Sequence, residues 1–405
     1  MSFVGAVIYR FPSREINVVG VTGTKGKTST AEVVNAILEE AGFKTALAST
    51  LRFKIDEESR RNMFKMTMPG RFFIQRFLRQ AVKKKCTHAV IEITSEAQVQ
   101  RRNRYIFLDA LIFTNISPEH IESHGSYENY LNAKLEIAKS LENSRKPRTI
   151  LVVNRDDKES AKFMAVEAKE KLAFSLTDAE PWKTSDDGGE FTFRGVPIKT
   201  KLPGKFNIYN ILSASTYALS QKIEPSVIKK AVENLDQILG RVEKIRLDPK
   251  HPLFSRQDFS VVVDYAHTGD SLRQFYEVFG ATRKICILGN TGGGRDTWKR
   301  GEMARIAEEH CDSIILTNED PYDDGPMSIV NEMAKAITKK PLKIIIDRRE
   351  AIREAISQAR TGDFVLITGK GTDPFIMEAN GKKTPWSDAK VAREELEKRL
   401  SQFKL

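Results

Sequence analysis

The sequence predicts an α/β protein built from two doubly wound units. Short apolar runs alternate with helical patterns twice, once from residue 16 to about 155 and again from residue 259 onward. Residues 20–30, GVTGTKGKTST, form a glycine-rich turn between the first apolar run and the first helical pattern. At 405 residues the chain is also too long for one compact core, so two or three domains are expected.

In the first alternation, residues 16–21, 87–93, 110–114 and 149–153 read as buried strands. Helices are expected over 28–41, 71–83 and 127–141, so the strands should run parallel. Residues 186–189 are a turn, followed by alternation over 191–201 that predicts an antiparallel appendage. Two helices near 208–220 and 226–234 close this part before Gly240-Arg241. The second alternation places strands at 259–264, 284–288, 313–316, 342–346 and 364–368. Helices intervene at 272–279, 301–310, 327–337 and 349–360, and an amphipathic helix is expected at 387–400.

The net charge of +11 suits a polyanionic partner. No aromatic–basic repeat or recognition-helix pattern supports nucleic acid, whereas a nucleoside triphosphate and a phosphorylated substrate use the same charge. Lys83-Lys84-Lys85 reads as a solvated helix end. No apolar run is long enough to span a bilayer, and the first residues lack a signal-peptide layout. Cys86, Cys286 and Cys311 lie far apart without metal spacing, so a cytoplasmic protein with reduced thiols is expected.

A glycine turn between strand and helix presents backbone N–H groups and a helix N-terminus to phosphate. Lys27 is placed to reach the terminal phosphates and the Thr28 hydroxyl to take Mg²⁺. Val21 stands where the general phosphate loop has glycine, so the fit is to a narrower GTxGKT[ST] form. Glu92 ends an apolar strand, the place where open α/β sheets hold ligands, and its carboxylate suits a metal shared with Thr28. Residues 113–125 again carry a strand into a polar loop, with His120 and His124. Either imidazole can bind a second metal or position phosphate, or simply lie at the surface.

GTKGKTST, Glu92, FTNISPEHIESHGSYENYLNAK, LPGKFNIYNILSA, GRVEKI, VVVDYAHTGDSL, LGNTGGGRDTWKRGEM, ILTNEDP and ITGKGTD occur in that order. Over roughly residues 16–400 the chain therefore resembles the Mur ligase family, in particular its branch that adds the third peptide residue to the peptidoglycan precursor. The resemblance implies a central phosphate-loop domain over 1–240 and a Rossmann-like ligase domain over 241–405. It implies ATP as co-substrate, held by Gly23, Thr24, Lys25, Gly26, Lys27, Thr28 and Ser29. It also implies two Mg²⁺ ions, one at Thr28 and Glu92 and a second at His120 beside a carbamylated Lys134. Asn207 and Asn210 match adenine-side asparagines, Arg241 the hinge arginine, Asp264 the ribose ligand, and His267 a neighbour of the nucleotide. Arg295 matches a phosphate or closure contact. The implied reaction passes the γ-phosphoryl group to a carboxylate, and an amine then displaces phosphate from the acyl phosphate.

Three departures from the family pattern set further expectations. The phosphate loop starts about twenty residues in, leaving no room ahead of it for a UDP-binding domain of about 80–100 residues. UDP recognition is then expected to be lost or supplied by a separate acceptor-binding partner. Thr67-Met68-Pro69 resembles the family's TTP segment, and Thr94-Ser95-Glu96-Ala97 stands where SSHA is usual. Gln100 and Arg102 match the acceptor contacts that follow. Glu319-Asp320-Pro321-Tyr322 replaces the DNPR of diaminopimelate enzymes, and Gly369 to Asp373 replaces GKGHE. The acidic residues and the lost arginine favour a basic amino acid such as lysine. Besides a peptidoglycan ligase, two readings stay open: a ligase for a non-UDP acceptor such as a folate or poly-amino acid, and a non-catalytic nucleotide-binding relative.

Overall fold

The computed structural model describes residues 1–119, 121–294 and 297–402. It divides into two compact units, Met1–Asp236 and Gln237–Leu405.

The first unit carries an eight-stranded sheet. Its strands are β1 (Asn17–Thr22), β2 (Thr45–Ala48), β3 (Arg52–Ile55), β4 (Glu58–Arg61), β5 (His88–Glu92), β6 (Ala110–Phe113), β7 (Ile150–Asn154) and β8 (Glu170–Phe174). They lie in the order β4-β3-β2-β5-β1-β6-β7-β8. The five pairings from β2 through β8 are parallel, while β3 and β4 add antiparallel at one edge. β5 and β7 are buried at every residue, as strands covered on both faces must be. The Arg71–Lys83 helix packs on one face because Ile74, Phe77, Leu78 and Ala81 recur at helical spacing, and all four are buried. Burying each of Ile74, Phe77 and Leu78 contributes about 1.5–3 kcal/mol. An antiparallel appendage of β9 (Trp182–Ser185), β10 (Gly188–Phe193) and β11 (Val196–Thr200) follows, as the alternating pattern predicts. Its outer register pairs Phe191 with Ile198.

The second unit is a six-stranded sheet of β12 (Glu243–Ile245), β13 (Ser260–Val263), β14 (Lys284–Leu288), β15 (Ser313–Leu316), β16 (Leu342–Ile344) and β17 (Phe364–Ile367). The order is β12-β13-β17-β14-β15-β16, parallel apart from the β12–β13 pair. A small ribbon, β18 (Phe375–Met377) with β19 (Lys383–Pro385), precedes the last helix, Asp388–Gln402.

Several elements differ from the sequence expectation. β2, β3 and β4 occupy a stretch read as connection, because four-residue strands with Ala, Lys and Arg carry no clear period. The cysteine expectation needs correction. Cys286 and Cys311 form a disulfide across a Cα–Cα distance of 6.1 Å, while Cys86 is a buried free thiol. Their sequence separation of 25 concealed the pairing: the crossover helix Lys299–His310 returns the chain to the edge of β14 just before β15 begins.

His88 opens β5 almost fully buried, against the Phe43 ring at 4.6 Å and beside the Thr87 hydroxyl at 3.0 Å. Burial pushes its pKa down to about 4 from 6.5. The unfolded chain therefore binds the extra proton first, and stability falls as pH drops from 6.5 toward 4. The loss attributable to His88 is about 2 kcal/mol by pH 5. Urea unfolding at pH 7 and pH 5 measures it, and His88→Leu is expected to flatten that part of the slope.

Candidate functional site

The turn after β1 is shaped by two glycines that admit no side chain. Gly23 has φ +149°, and a Cβ there would lie 2.0 Å from Thr114 Oγ1. Gly26 has φ +78°, and a Cβ there would lie 2.3 Å from Asn210 Oδ1. Gly26 is also the N-cap of the Lys27–Glu40 helix, so the turn ends on free helix N–H groups. The loop is held from one side by Asn115, whose carbonyl accepts from Thr24 N (2.8 Å) and whose Oδ1 accepts from Lys25 N (3.0 Å). Lys27 Nζ folds back on the loop, donating to the carbonyls of Gly23 (2.9 Å) and Thr24 (2.8 Å). Thr28 and Ser29 are buried at the first turn of the helix.

Glu92, at the end of β5, has no exposed surface. One oxygen accepts from Thr28 Oγ1 (3.2 Å) and Thr50 Oγ1 (3.0 Å), and the other from Thr50 N (2.8 Å). Thr50 Oγ1 also meets Thr67 Oγ1 at 2.9 Å. The expected Thr28–Glu92 neighbourhood is thus present, and Thr67 lies one hydroxyl away. Thr50 was missed from sequence; its one signal is its place just past an apolar strand.

Lys134 is buried on the Tyr127–Lys139 helix. Its Nζ donates to Gly23 O (2.7 Å) and lies 4.8 Å from the Tyr130 ring centroid. Burial, with Lys27 adding, holds its pKa well below the usual lysine value. The Tyr130 hydroxyl meets Thr24 Oγ1 at 2.9 Å, so this helix braces the loop twice. His124 Nε2 meets Ser95 Oγ at 3.1 Å. His120 lies outside the described residues.

Asn207 and Asn210 sit buried on the Lys205–Ser220 helix, joined by a 3.0 Å bond from Asn210 Nδ2 to Asn207 Oδ1. Asn210 is the residue that lies over Gly26. Thr94 caps the Ser95–Val99 helix by accepting from Ala97 N (3.1 Å). Arg102 donates to Gln100 Oε1 and, at 2.9 Å, to Met68 O beside Thr67. The Thr67, Gln100 and Arg102 expectations therefore fall in one connected region of the first unit.

In the second unit, Asp264 is buried and uses both oxygens on backbone N–H groups, Val242 N and Ala266 N, each at 2.7 Å. Burial raises its carboxyl pKa, opposed by Arg241 and those two N–H groups. The guanidinium of Arg241 lies 4.6 Å over the Tyr265 ring, and His267 Nδ1 is 2.7 Å from Tyr265 O. Arg295 lies outside the described residues.

The loop after β15 is less acidic toward a ligand than its sequence reads. Asp320 Oδ1 accepts from Lys370 Nζ and Met377 N, both at 2.8 Å. Asp323 accepts from Asn380 N (2.8 Å) and Asp324 from Gly293 N (2.9 Å). Tyr322 takes a left-handed φ of +51° with its N–H on Met377 O (3.0 Å). Glu319 differs: Oε1 accepts from Thr291 Oγ1 (3.0 Å), but Oε2 is buried with no hydrogen-bond partner. Gly369 leaves room for that oxygen, since a Cβ there would lie 2.3 Å from it. Lys370, another residue missed from sequence, is fully buried between Asp320 and Asp373.

The profile of the Mur ligase middle domain matches residues 21–218, and that of the Mur ligase glutamate ligase domain matches 246–371. A UDP-N-acetylmuramoyl-L-alanyl-D-glutamate–2,6-diaminopimelate ligase from Syntrophomonas wolfei is 33% identical over 409 residues, covering 97% of this chain and 81% of that protein. A solved structure of a UDP-N-acetylmuramoyl-L-alanyl-D-glutamate–2,6-diaminopimelate ligase superposes with a TM-score of 0.64 at 25% identity, over 98% of this chain and 82% of that one. The ADP complex of Mycobacterium tuberculosis folylpolyglutamate synthase shares the fold, with a TM-score of 0.71 at 16% identity and 92% of each chain covered.

Gly26→Ala places a methyl against Asn210 Oδ1 and strains a left-handed backbone. At least tenfold weaker nucleotide binding is expected by calorimetry, with far-ultraviolet circular dichroism unchanged.

Proposed function

The chain belongs to the Mur ligase family of ATP-dependent peptide ligases, and from that premise we propose that it joins a basic amino acid to a carboxylate of a muramoyl-dipeptide precursor. The observation that carries this reading is the position of Glu92. One carboxylate bonds Thr28 of the phosphate loop and Thr50, whose hydroxyl meets Thr67 of the acceptor-side segment. Phosphoryl transfer to an acceptor needs its two substrates aligned at such a junction.

The residues fit the family's co-substrate and metal. Magnesium favours hard oxygen ligands shared with phosphates, and Glu92 with Thr28 Oγ1 supplies two in one place. The ion, when bound, offsets charge on the transferring group. Lys27, now on loop carbonyls, is within reach of the phosphates that the helix N-terminus would hold. Lys134, almost without exposed surface and with its charged form disfavoured by burial, suits carbamate formation: its neutral amine adds to carbon dioxide and loses one proton. The resulting carboxylate would face the loop beside Gly23.

The acceptor assignment rests on the relatives' named substrate and on the Thr67, Gln100 and Arg102 region. The amino acid assignment rests on Glu319. Its Oε2 carries no hydrogen bond within the protein, and Tyr322 offers no charge to a distal carboxylate.

Incubation with ATP, Mg²⁺, UDP-muramoyl-dipeptide and an amino-acid panel, read by mass spectrometry, is expected to show lysine or ornithine added. Preferred addition of diaminopimelate would overturn the amino acid, and product only from a UDP-free acceptor would overturn the acceptor. Lys27→Ala is expected to lower kcat by about a hundredfold or more in a folded protein. Lys134→Ala is expected to lose comparable activity and to regain part of it with added short-chain carboxylates; loss without rescue would remove the carbamate.

A further inference from the structure

A cavity of about 800 Å³ opens on the first unit away from the phosphate loop. Arg14 precedes β1 and residues 103–107 precede β6, so it lies at the N-terminal edge of the parallel strands. The phosphate loop follows the C-terminal end of β1, at the opposite edge. The volume is within the range of small-molecule sites.

Its lining has two features that one ligand class answers together, a cluster of cations and exposed aromatic surface. Five cations, including Arg14, Arg104 and Arg145, face a single carboxylate, Glu136, which already pairs with Lys139 at 2.9 Å. Arg14, Arg104 and Arg145 form no ion pair among the described residues, and all three are exposed. Two of these guanidiniums lie over aromatic rings, Arg14 at 4.5 Å from the Phe11 centroid and Arg104 at 5.2 Å from that of Tyr105. Such stacking orders the planar group and leaves its N–H edge free to fork an oxyanion. The Phe3 ring, 54% exposed, stands 5.4 Å from Tyr105 and offers an apolar face.

We propose that this cavity is a second nucleotide site, distinct from the phosphate loop, taking a nucleoside diphosphate. The diphosphate meets the arginines, and the base lies against Phe3 and Tyr105. An inorganic anion answers only the first feature, and a phosphorylated sugar lacks the planar ring.

The test is calorimetric titration of the full chain with its phosphate loop saturated by β,γ-methylene-ATP and Mg²⁺. UDP, ADP and pyrophosphate are titrated separately, into the native chain and into the Arg104→Glu/Arg145→Glu variant. One further equivalent of UDP or ADP is expected to bind, at least tenfold tighter than pyrophosphate and at least tenfold weaker in the variant. Amide-forming turnover of the variant is expected to stay unchanged. Absence of a second equivalent, binding indifferent to the charge reversal, or pyrophosphate binding as tightly as the nucleotides would each overturn the proposal.

Discussion

A carboxylate without exposed surface at the end of a parallel strand is the constraint on which the first unit's site depends. Removing an ion from water costs several kcal/mol unless donors replace the lost hydration. β5 lies between β2 and β1, so Glu92 has a neighbouring connection on each side. Thr50, just past β2, supplies a backbone N–H and a hydroxyl, and Thr28, past β1, supplies a second hydroxyl. The need to solvate one anion thus draws together two turns that the sheet alone would leave independent. The same oxygens are hard ligands of the kind a magnesium ion takes.

Beside that anion the loop has a cationic counterpart. Gly23 O accepts from both Lys27 and Lys134, two amines that repel each other when both are charged. Burial and Lys27 together push Lys134 toward its neutral form. Negative charge brought to the loop would relieve that repulsion, because both amines lie within hydrogen-bond distance of the same carbonyl.

What could be read from sequence is what is local or strongly periodic. The strand–turn–helix at residues 17–40 is contiguous, and its glycines and Lys27 announce themselves. Glu92 was legible because a charge at the end of a buried strand is conspicuous. Thr50, Arg348 and Lys370 were not, because their roles exist only across long separations. Arg348 is fully buried on Asp388 and ties Asn318 O and Thr368 O together, 30 and 20 residues away. It therefore anchors the connections leaving β15 and β17, though in sequence it is one arginine in an Arg-Arg-Glu run. The Cys286–Cys311 bond was hidden in the same way. Composition, conversely, shows the acids of the loop after β15 but not which of their oxygens the fold already uses.

That loop shows why charge counts are poor guides to recognition. Asp320, Asp323 and Asp324 each spend an oxygen on a backbone N–H or on buried Lys370, so their charge stabilises the loop's path. Tyr322 contributes to the same path by adopting a left-handed backbone, at a cost of about 1–2 kcal/mol for a non-glycine residue. Glu319 alone among these acids keeps a buried oxygen uncommitted, and an unpaired buried acceptor costs about 1–3 kcal/mol, more when charged. The fold tolerates that cost beside Gly369, where any side chain would crowd the oxygen out. Glu319 and Gly369 therefore constrain each other, and the acidic sequence around them sets only the frame.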